Sequence, residues 1–259
     1  MKRFLKIFLS SLIGIIMFIL IWATTVTVVK HIQTTIKIED FKSKAILTED
    51  EEFKDVANTR FYKVASNEER PTMFVKNKTL YPGLSGDIIV TLKSGFSDAF
   101  VDGFITFYAG GHAAMICDNF YDTTQKVNLD NTKSIEATGL STDGNNTCQI
   151  FDRSYWSRKS PYTEVICLRV NMTDIERREV ISNINTFVGD DYNYSFLFNT
   201  INTSYCSDIM FKSFRKIGKN LNKDGFATTI YDLIVSGDCY ISNYHYIDDA
   251  GIKHVYYLG

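Results

Sequence analysis

The amino-terminal segment constrains the chain most, because no charged residue occurs from Ile7 to Val29. Roughly 20 consecutive apolar residues are enough for a helix to cross a bilayer. No polar face interrupts the run, which argues against a helix buried in a soluble core. Lys2, Arg3 and Lys6 precede it, and basic residues favour the cytoplasmic side of a membrane. The sequence therefore predicts a transmembrane helix with a cytoplasmic amino terminus and the remaining chain on the other side.

A cleaved secretory signal is the alternative interpretation of this segment, because it also combines a basic start with an apolar core. The run is long for a signal core, and the only small-residue pattern suited to cleavage is a weak one near Ala23. We therefore expect residues 1–29 to form a cytoplasmic start and an uncleaved membrane anchor. The alternative is a protein secreted after signal cleavage.

The rest of the chain divides into two predicted regions. Residues 30–78 are charged and polar, and we expect a stalk or linker that holds a domain away from the membrane. Domain-like patterning begins near residue 79, so residues 79–259 are expected to form one domain. The formal net charge of -2 at pH 7 gives no reason to expect a nucleic-acid partner.

Strand-like and helix-like patterns follow one another within this domain. The first segments are short, apolar and typical of strands: Gly86–Leu92, His112–Cys117, Ser134–Thr138 and Glu164–Val170. A helix should come next, because Thr173 and Glu176 form a capping box before an apolar stripe that ends at Gly189. A second helix and aromatic strand-like runs complete the chain. This order predicts an α+β fold around one sheet.

The second helix is predicted to begin next to Cys206, in the segment TSYCSDIMFKSF. Thr203 and Ser204 can serve as N-caps, and Gly218 lies where a C-cap glycine is typical. An apolar stripe at helical spacing lies between them: Ile209, Met210, Phe214 and Ile217. Cys206 is then at the positive end of the helix dipole, where a thiolate is favoured. The alternative is a small buried core residue.

The number of cysteines limits how many of them can form disulfides. The chain has five cysteines, and an odd number leaves at least one thiol unpaired in an exported protein. No C-x-x-C and no H-E-x-x-H motif occurs, so neither a metal site nor a cofactor is expected. A further alternative pairs Cys206 with another cysteine in a disulfide-stabilised surface domain.

His112 is the histidine best suited to act with Cys206. It follows Gly110 and Gly111 and opens an apolar strand, so its ring can stand at a strand edge facing a cleft. Glu136 lies inside the next predicted strand, where a carboxylate is either exposed to solvent or paired. Consecutive strands are commonly neighbours, so Glu136 can accept a hydrogen bond from the imidazole and fix its tautomer. Taken alone, His112 fits a structural role better than a catalytic one.

Four segments in order, GDIIV, GGHAAMI, SIEAT and YCSDIMFKSF, resemble the permuted papain-like hydrolases of the NlpC superfamily, in particular the YiiX/YebB-like group. In that family a Gly-Asp strand precedes a histidine-led strand, a glutamate strand follows, and the cysteine helix comes last. The resemblance covers residues 82–218 and, more loosely, the tail. It implies a circularly permuted papain-like (NlpC-type) domain with a central antiparallel sheet and packed helices.

The resemblance also implies roles for individual residues. Cys206 is similar to the nucleophile, His112 to the general base, and Glu136 to the carboxylate that orients the imidazole. Tyr205 and Gly111, each directly before one of these residues, are expected to contact substrate. The implied protein is a membrane-anchored extracytoplasmic cysteine hydrolase that forms a thioacyl-enzyme. The alternative is a catalytically inactive papain-like module that binds a ligand or a protein at the membrane.

Two features depart from the family pattern. The family often has a glutamate two residues after the cysteine, where this chain has Asp208. The segment Lys93–Gly110 is longer than the loop expected before the histidine, and its aromatic residues suit a lid or a substrate wall. Related enzymes act on cell-wall peptides or on acyl groups of lipid-like molecules, and both substrate classes stay open. The oligomeric state is unknown from the sequence, and Asp87 is expected to be structural.

Overall fold

The computed structural model describes residues 2–48, 53, 56–66, 83–94, 99–118, 133–139, 146–151, 163–196 and 201–259. The helices are α1 (Lys2–Ser43), α2 (Ala99–Tyr108), α3 (Asp174–Asn185), α4 (Cys206–Arg215) and α5 (Ile230–Val235). The strands are β1 (Ala45–Leu47), β2 (Thr59–Val64), β3 (Ile88–Val90), β4 (Ala113–Ile116), β5 (Ser134–Ala137), β6 (Cys148–Phe151), β7 (Glu164–Val170), β8 (Asp191–Tyr192), β9 (Thr203–Ser204), β10 (Cys239–Ile247) and β11 (Lys253–Leu258).

One large sheet organises the fold, with the strand order β1-β2-β11-β10-β7-β3-β4-β5-β6. Its neighbouring strands are antiparallel, except that β2 and β11 run parallel. Strands β8 and β9 form a separate parallel pair. Helices α3, α4 and α5 pack beside one another, and α4 and α5 contact the sheet. The α+β class expected from the sequence is confirmed.

The predicted strands and the predicted capping box of α3 are found in the structure. The four expected strands are present as β3, β4, β5 and β7, of which β7 has the predicted limits. The capping box of α3 is formed, because Thr173 Oγ1 accepts from the Glu176 amide at 3.2 Å and the Glu176 carboxylate accepts from the Thr173 amide at 2.7 Å. Each bond satisfies a backbone donor that the first helical turn leaves unpaired.

The described part of residues 30–78 differs from the predicted polar stalk. Strand β2 pairs in parallel with β11, and β1 pairs with β2, so both belong to the large sheet. Phe61 of β2 is buried and packs in one cluster with Phe53, Val255 and Tyr257. Charged neighbours lower the hydropathy of this region and conceal the alternation that marks a strand with one buried face. The structural domain therefore begins before residue 79.

Helix α1 divides into two halves with different surroundings. Every side chain from Arg3 to Trp22 is exposed, whereas from Ala23 onward one face is partly or fully buried against the domain. The buried positions on that face are Thr27, Thr34, Ile38 and Phe41. By length and composition α1 suffices to cross a membrane, although an amino-terminal signal sequence would pass the same test.

Lys37 shows how closely the second half of α1 is attached to the domain. Its ammonium group donates to the carbonyl oxygens of Ile234, Ser236 and Cys239, at 2.7, 3.0 and 2.6 Å. These carbonyls lie at and just beyond the end of α5, where helical backbone acceptors have no partner within the helix. The lysine therefore caps α5 and joins α1 to the sheet.

Asp87 confirms its expected structural role, because it forms a fully buried ion pair with Arg169. The Nε and Nη2 atoms of Arg169 each donate to one carboxylate oxygen of Asp87 at 2.9 Å. Both side chains have no exposed surface. Asp87 also accepts from the Leu84 amide at 3.0 Å, so the pair fixes the turn before β3 to β7.

We expect Asp87→Asn to reduce the free energy of unfolding by about 3–5 kcal/mol, because it leaves the buried Arg169 charge without its partner. Chemical denaturation of the full chain in detergent would measure this as a lower midpoint. Asp249→Asn is the matched control, since Asp249 is exposed. Equal midpoints for the two variants would contradict the structural role.

Candidate active site

Helix α4 begins at Cys206, so the predicted position of the cysteine in the first turn is confirmed. The predicted N-caps are wrong, because Tyr205 occupies the N-cap position without a side-chain cap bond. Thr203 and Ser204 instead form β9. The predicted end is confirmed: Gly218 adopts φ 81°, and the Lys219 amide donates back to the Phe214 carbonyl at 3.1 Å. A left-handed glycine with such a bond is a common helix terminator.

The start of α4 is held against the loop before α5. The Tyr205 hydroxyl accepts from the Thr228 amide at 2.9 Å, and the Ser207 hydroxyl donates to the Thr228 carbonyl at 2.7 Å. Both bonds are buried, which makes them costly to lose. Cys206 lies between these two anchored residues, so its position is fixed from both sides.

His112 is placed by its two preceding glycines and by Thr91. Gly110 has φ 85°, which a residue with a side chain rarely adopts. A β-carbon on Gly111 would lie 2.2 Å from the Lys93 carbonyl oxygen and 2.5 Å from that of Thr91. The His112 amide donates to Thr91 Oγ1 at 3.1 Å. The chain can approach β3 this closely only because glycine precedes the histidine.

Cys206, His112 and Glu136 form a connected chain of hydrogen bonds. His112 Nε2 lies 3.0 Å from Glu136 Oε2, and Ser134 Oγ donates to the other carboxylate oxygen at 2.6 Å. The His112 side chain also hydrogen bonds the Cys206 thiol. Because Nε2 is directed at the carboxylate, Nδ1 is the ring nitrogen available to the sulfur. The structure thus brings together the three residues that the sequence predicted to form the site.

Strand pairing explains why His112 and Glu136 meet. Strands β4 and β5 are antiparallel neighbours, with Met115 opposite Ile135. His112 directly precedes β4 and Glu136 lies near the end of β5, so both reach the same end of the pair. Helix α4 packs on β4 and β5 and brings Cys206 to this end. Three residues that are distant in sequence therefore meet at one end of the β4–β5 pair.

The electrostatics favour a thiolate on Cys206. Burial alone would raise its pKa, but the hydrogen bond and charge of His112 and the backbone amides of Ala113 and Ser207 lower the pKa below its ordinary 9.0. Burial alone would likewise lower the pKa of His112, but Cys206 and Glu136 raise it to about 10. The opposite shifts describe a thiolate beside an imidazolium, which is the activated state of a nucleophilic cysteine.

The other four cysteines behave as ordinary buried or half-buried thiols. Burial is the main cause that raises the pKa to about 12 for Cys117, Cys148 and Cys239, and well above 9.0 for Cys167. All five cysteines belong to the described residues, and each is a free thiol. Pairing of Cys206 in a disulfide is therefore not found in this structure.

Aromatic residues surround the start of α4. Burial, together with the charge of Cys206, raises the pKa of Tyr192, so the two groups interact electrostatically. The Phe196 ring contacts Tyr192 with centroids 6.2 Å apart and Tyr205 with centroids 5.2 Å apart. Tyr205 is thus next to the site as predicted, and its contact with substrate stays a prediction. The same holds for Gly111, whose position reflects close backbone packing.

A cavity of about 700 Å³ lies beside the start of α4. Its aromatic lining consists of Phe187, Phe196, Tyr205, Phe211 and Phe226, and its basic lining of Lys212, Arg215 and Lys216. Cys206 is not part of the lining, but its neighbour Tyr205 is. Asp208, at the position of the family glutamate, lines the cavity and pairs with Lys212 at 2.6 Å. Asp208 is therefore an acidic residue of the cavity lining.

Three further groups at the site were not identified from sequence. The Ser134 hydroxyl hydrogen bonds Glu136, the Ala113 amide hydrogen bonds the sulfur of Cys206, and Tyr192 interacts electrostatically with Cys206. Ser134 could have been found, since residues two apart in a strand point to the same face and SIEAT contains both. Tyr192 and the Ala113 amide carry no such signal, because tertiary folding alone brings them to Cys206.

Glu136→Gln is expected to slow alkylation of Cys206 by iodoacetamide at neutral pH, by roughly tenfold for each unit that the thiol pKa rises. The neutral amide removes the charge that raises the His112 pKa, so the imidazolium and the thiolate both lose stabilisation. Exposed Glu179→Gln is the control. A pH profile identical in both variants would refute the role of Glu136.

The described residues contain no group of three or more His, Cys, Asp or Glu side chains arranged to hold a metal ion. His245 is buried in β10, and burial lowers its pKa to about 3. His254 of β11 bonds Asp248 at 2.9 Å and Tyr62 at 3.2 Å. His31 bonds the Phe107 carbonyl at 2.8 Å. These three histidines are thus buried or hydrogen bonded to residues other than Cys206 and Glu136.

Comparisons with known proteins find similarity at the level of structure. No family model and no curated protein matches the chain. The crystal structure of the metalloprotein YiiX from Escherichia coli O157:H7 matches with a TM-score of 0.47 and 12% identity, over 62% of this chain and 97% of that one. At this level the match assigns no function to the chain.

Proposed function

We propose that the protein is a cysteine hydrolase of the permuted papain-like type, anchored in a membrane by α1. The observation that carries this proposal is the chain of hydrogen bonds from Cys206 through His112 to Glu136. The pKa of His112 is raised to about 10 and the pKa of Cys206 is lowered, which is the combination that nucleophilic catalysis by a cysteine needs. A module that only binds a ligand has no need of this pairing.

The mechanism follows from the protonation states of the pair. The Cys206 thiolate attacks an acyl carbonyl carbon, and the carbonyl oxygen takes the electron pair of the broken π bond. The Cys206 backbone amide, at the start of α4, can donate to that oxyanion. The His112 imidazolium gives its proton to the leaving group as the tetrahedral intermediate collapses to a thioester. His112, now neutral, takes a proton from water, and the resulting hydroxide attacks the thioester and releases the acid.

Glu136 acts through His112 in this scheme. Its carboxylate accepts the Nε2–H of the imidazole, so Nδ1 is directed to the sulfur and the imidazolium is stabilised. Ser134 fixes the carboxylate in turn. The proposed substrates carry an amide, ester or thioester bond, within the cell-wall peptide and lipid-like acyl classes.

The location proposed for this activity is the extracytoplasmic side of a membrane. Lys2, Arg3 and Lys6 would stay in the cytoplasm, following the bias of basic residues. Helix α1 continues without a break from its exposed half into the half packed on the domain. Cleavage near Ala23 would cut this helix, which favours an intact anchor over a removed signal.

Competitive alkylation of the full chain tests the proposed chemistry, with the other four thiols as internal controls. The protein in detergent is treated with substoichiometric iodoacetamide at neutral pH, and the modified cysteines are mapped by mass spectrometry. We expect Cys206 to react first, because its pKa is lowered and that of each other cysteine is raised. Preferential modification of another cysteine would reject Cys206 as the nucleophile.

A further inference from the structure

The place where α1 first contacts the domain indicates how deep in a bilayer the nearest part of the domain would lie. Side chains from Arg3 to Trp22 are exposed, and the first contacts with the domain occur at Trp22 and Thr24. The uncharged run ends at Val29. If α1 spans a bilayer, Trp22 and Thr24 lie in the last turns of that span. Tryptophan is enriched at this level of transmembrane helices.

The carboxyl-terminal end of α2 lies at the same level, and the helix presents an apolar surface. The Tyr108 hydroxyl hydrogen bonds Thr24 at 3.0 Å, and the Phe107 carbonyl accepts from His31. No residue of α2 is buried, and Phe100 and Phe104 are 83% and 55% exposed. Exposed aromatic residues at this density are unusual on a helix that faces only water.

Charge does not interrupt this surface. Asp102 is the only charged residue of α2, and its carboxylate is engaged by the Ser94 hydroxyl. Lys30, the first charged residue after the apolar run, pairs with Asp232 at 2.7 Å and Asp224 at 2.5 Å. An interfacial helix buries an apolar face among the lipid headgroups and acyl chains, and α2 offers such a face.

Phe226 extends the surface to the cavity beside α4. Its ring packs edge-on against Trp22 with centroids 4.6 Å apart, and 52% of the residue is exposed. Phe226 also lines the cavity together with Tyr205, the neighbour of Cys206. The rim of the cavity is therefore continuous with the part of α1 that would leave the membrane.

We infer that α2, Phe226 and Trp22 form a docking surface that inserts into the interface of the bilayer spanned by α1. This placement directs the aromatic cavity toward the lipid surface. Resting on the proposed function, it assigns the substrate to membrane-resident amphiphiles with an acyl bond, which reach Cys206 by way of this cavity. Lys212 pairs with Asp208, and the remaining basic lining, Arg215 and Lys216, suits an acidic group on such a molecule.

Depth-dependent fluorescence quenching tests the docking surface without any need for activity. The background variant Trp22→Phe/Trp156→Phe carries one new tryptophan at a time, and each protein is placed at one chain per nanodisc with brominated phosphatidylcholine. Phe100→Trp reports on α2. Ile15→Trp in the middle of the span is the positive reference, and Ile175→Trp, at an equally exposed site on α3, is the negative control.

We expect Phe100→Trp to lose fluorescence toward the level of Ile15→Trp, while Ile175→Trp stays unquenched. Fluorescence of Phe100→Trp equal to that of Ile175→Trp overturns the docking surface, including the case in which a second copy of the chain covers α2. An unquenched Ile15→Trp overturns it as well, because α1 would then lie outside the bilayer.

A second pair of measurements separates this inference from the proposed chemistry. Phe100→Asp/Phe104→Asp should lose turnover of an acyl ester embedded in the nanodisc but keep the wild-type rate of Cys206 alkylation by iodoacetamide. Unchanged turnover of the embedded ester would reject the assigned substrate class. Failure of Cys206 to react in the wild-type chain would reject the hydrolase and leave the quenching result to decide the docking surface.

Discussion

Replacing Cys206 with alanine should lower hydrolysis of activated acyl esters and thioesters by roughly a thousandfold or more, because the nucleophile is removed. Cys206→Ser should be nearly as inactive. A serine hydroxyl has a far higher pKa than a thiol, and the ion pair with His112 would not form. The rate would be measured with p-nitrophenyl esters on the full chain in detergent.

Cys117→Ala is the matched control for this loss. Cys117 is also a free thiol and is more exposed than Cys206, but burial and the Asp118 charge raise its pKa to about 12. We expect this variant to keep the wild-type rate. Turnover that survives in Cys206→Ala would show that another group attacks the substrate, and the assigned nucleophile would be wrong.

The second large effect is expected for His112→Gln, which should reduce turnover by about 10²–10⁴-fold, the range typical for loss of a general acid–base group. Glutamine can fill the space and keep a hydrogen bond to Glu136, but it neither accepts the thiol proton nor protonates a leaving group. His245→Gln is the control, since His245 belongs to β10. Similar losses in both variants would indicate damage to folding and would contradict a specific role for His112.

The expected pH dependence of hydrolysis by the wild-type protein follows from the pKa shifts of Cys206 and His112. Activity should fall in acid, because protonation removes the Cys206 thiolate, and this limb lies below the ordinary thiol pKa of 9.0. It should also fall in alkali near pH 10, where the His112 imidazolium loses the proton needed by the leaving group. His112→Gln should lose the alkaline limb, and its thiol should ionise nearer to 9.0. Initial rates across pH would measure both limbs.

The three residues of the site could be predicted because each one lies in a recognisable local sequence pattern. Cys206 begins an amphipathic helix, His112 follows two glycines, and Glu136 interrupts an apolar strand. Each pattern fixes a local structure, and neighbouring antiparallel strands bring two of them together. The contact of α4 with β4 and β5 depends on tertiary packing. In the sequence, only the resemblance to a family indicates this contact.

The predicted stalk shows where local patterns fail. Residues 59–64 form β2 in the large sheet, although Arg60 and Lys63 make the segment polar on average. Pairing with β11 joins residues about three quarters of the chain length apart, and no local sequence pattern predicts that contact. The same applies to α2, where the predicted aromatic wall is a helix with no buried residue. Its position beside α1 is set by Tyr108 and Phe107.

The central claim is that Cys206 and His112 form a thiolate–imidazolium pair, and the ultraviolet absorbance of the thiolate measures this directly. The difference in absorbance between the wild-type chain and Cys206→Ala isolates the signal of one sulfur and can be titrated with acid and alkali. We expect a thiolate signal that is already present at neutral pH and disappears only in acid. A signal that is absent at neutral pH and emerges only near pH 9.0, the ordinary thiol pKa, would contradict the account.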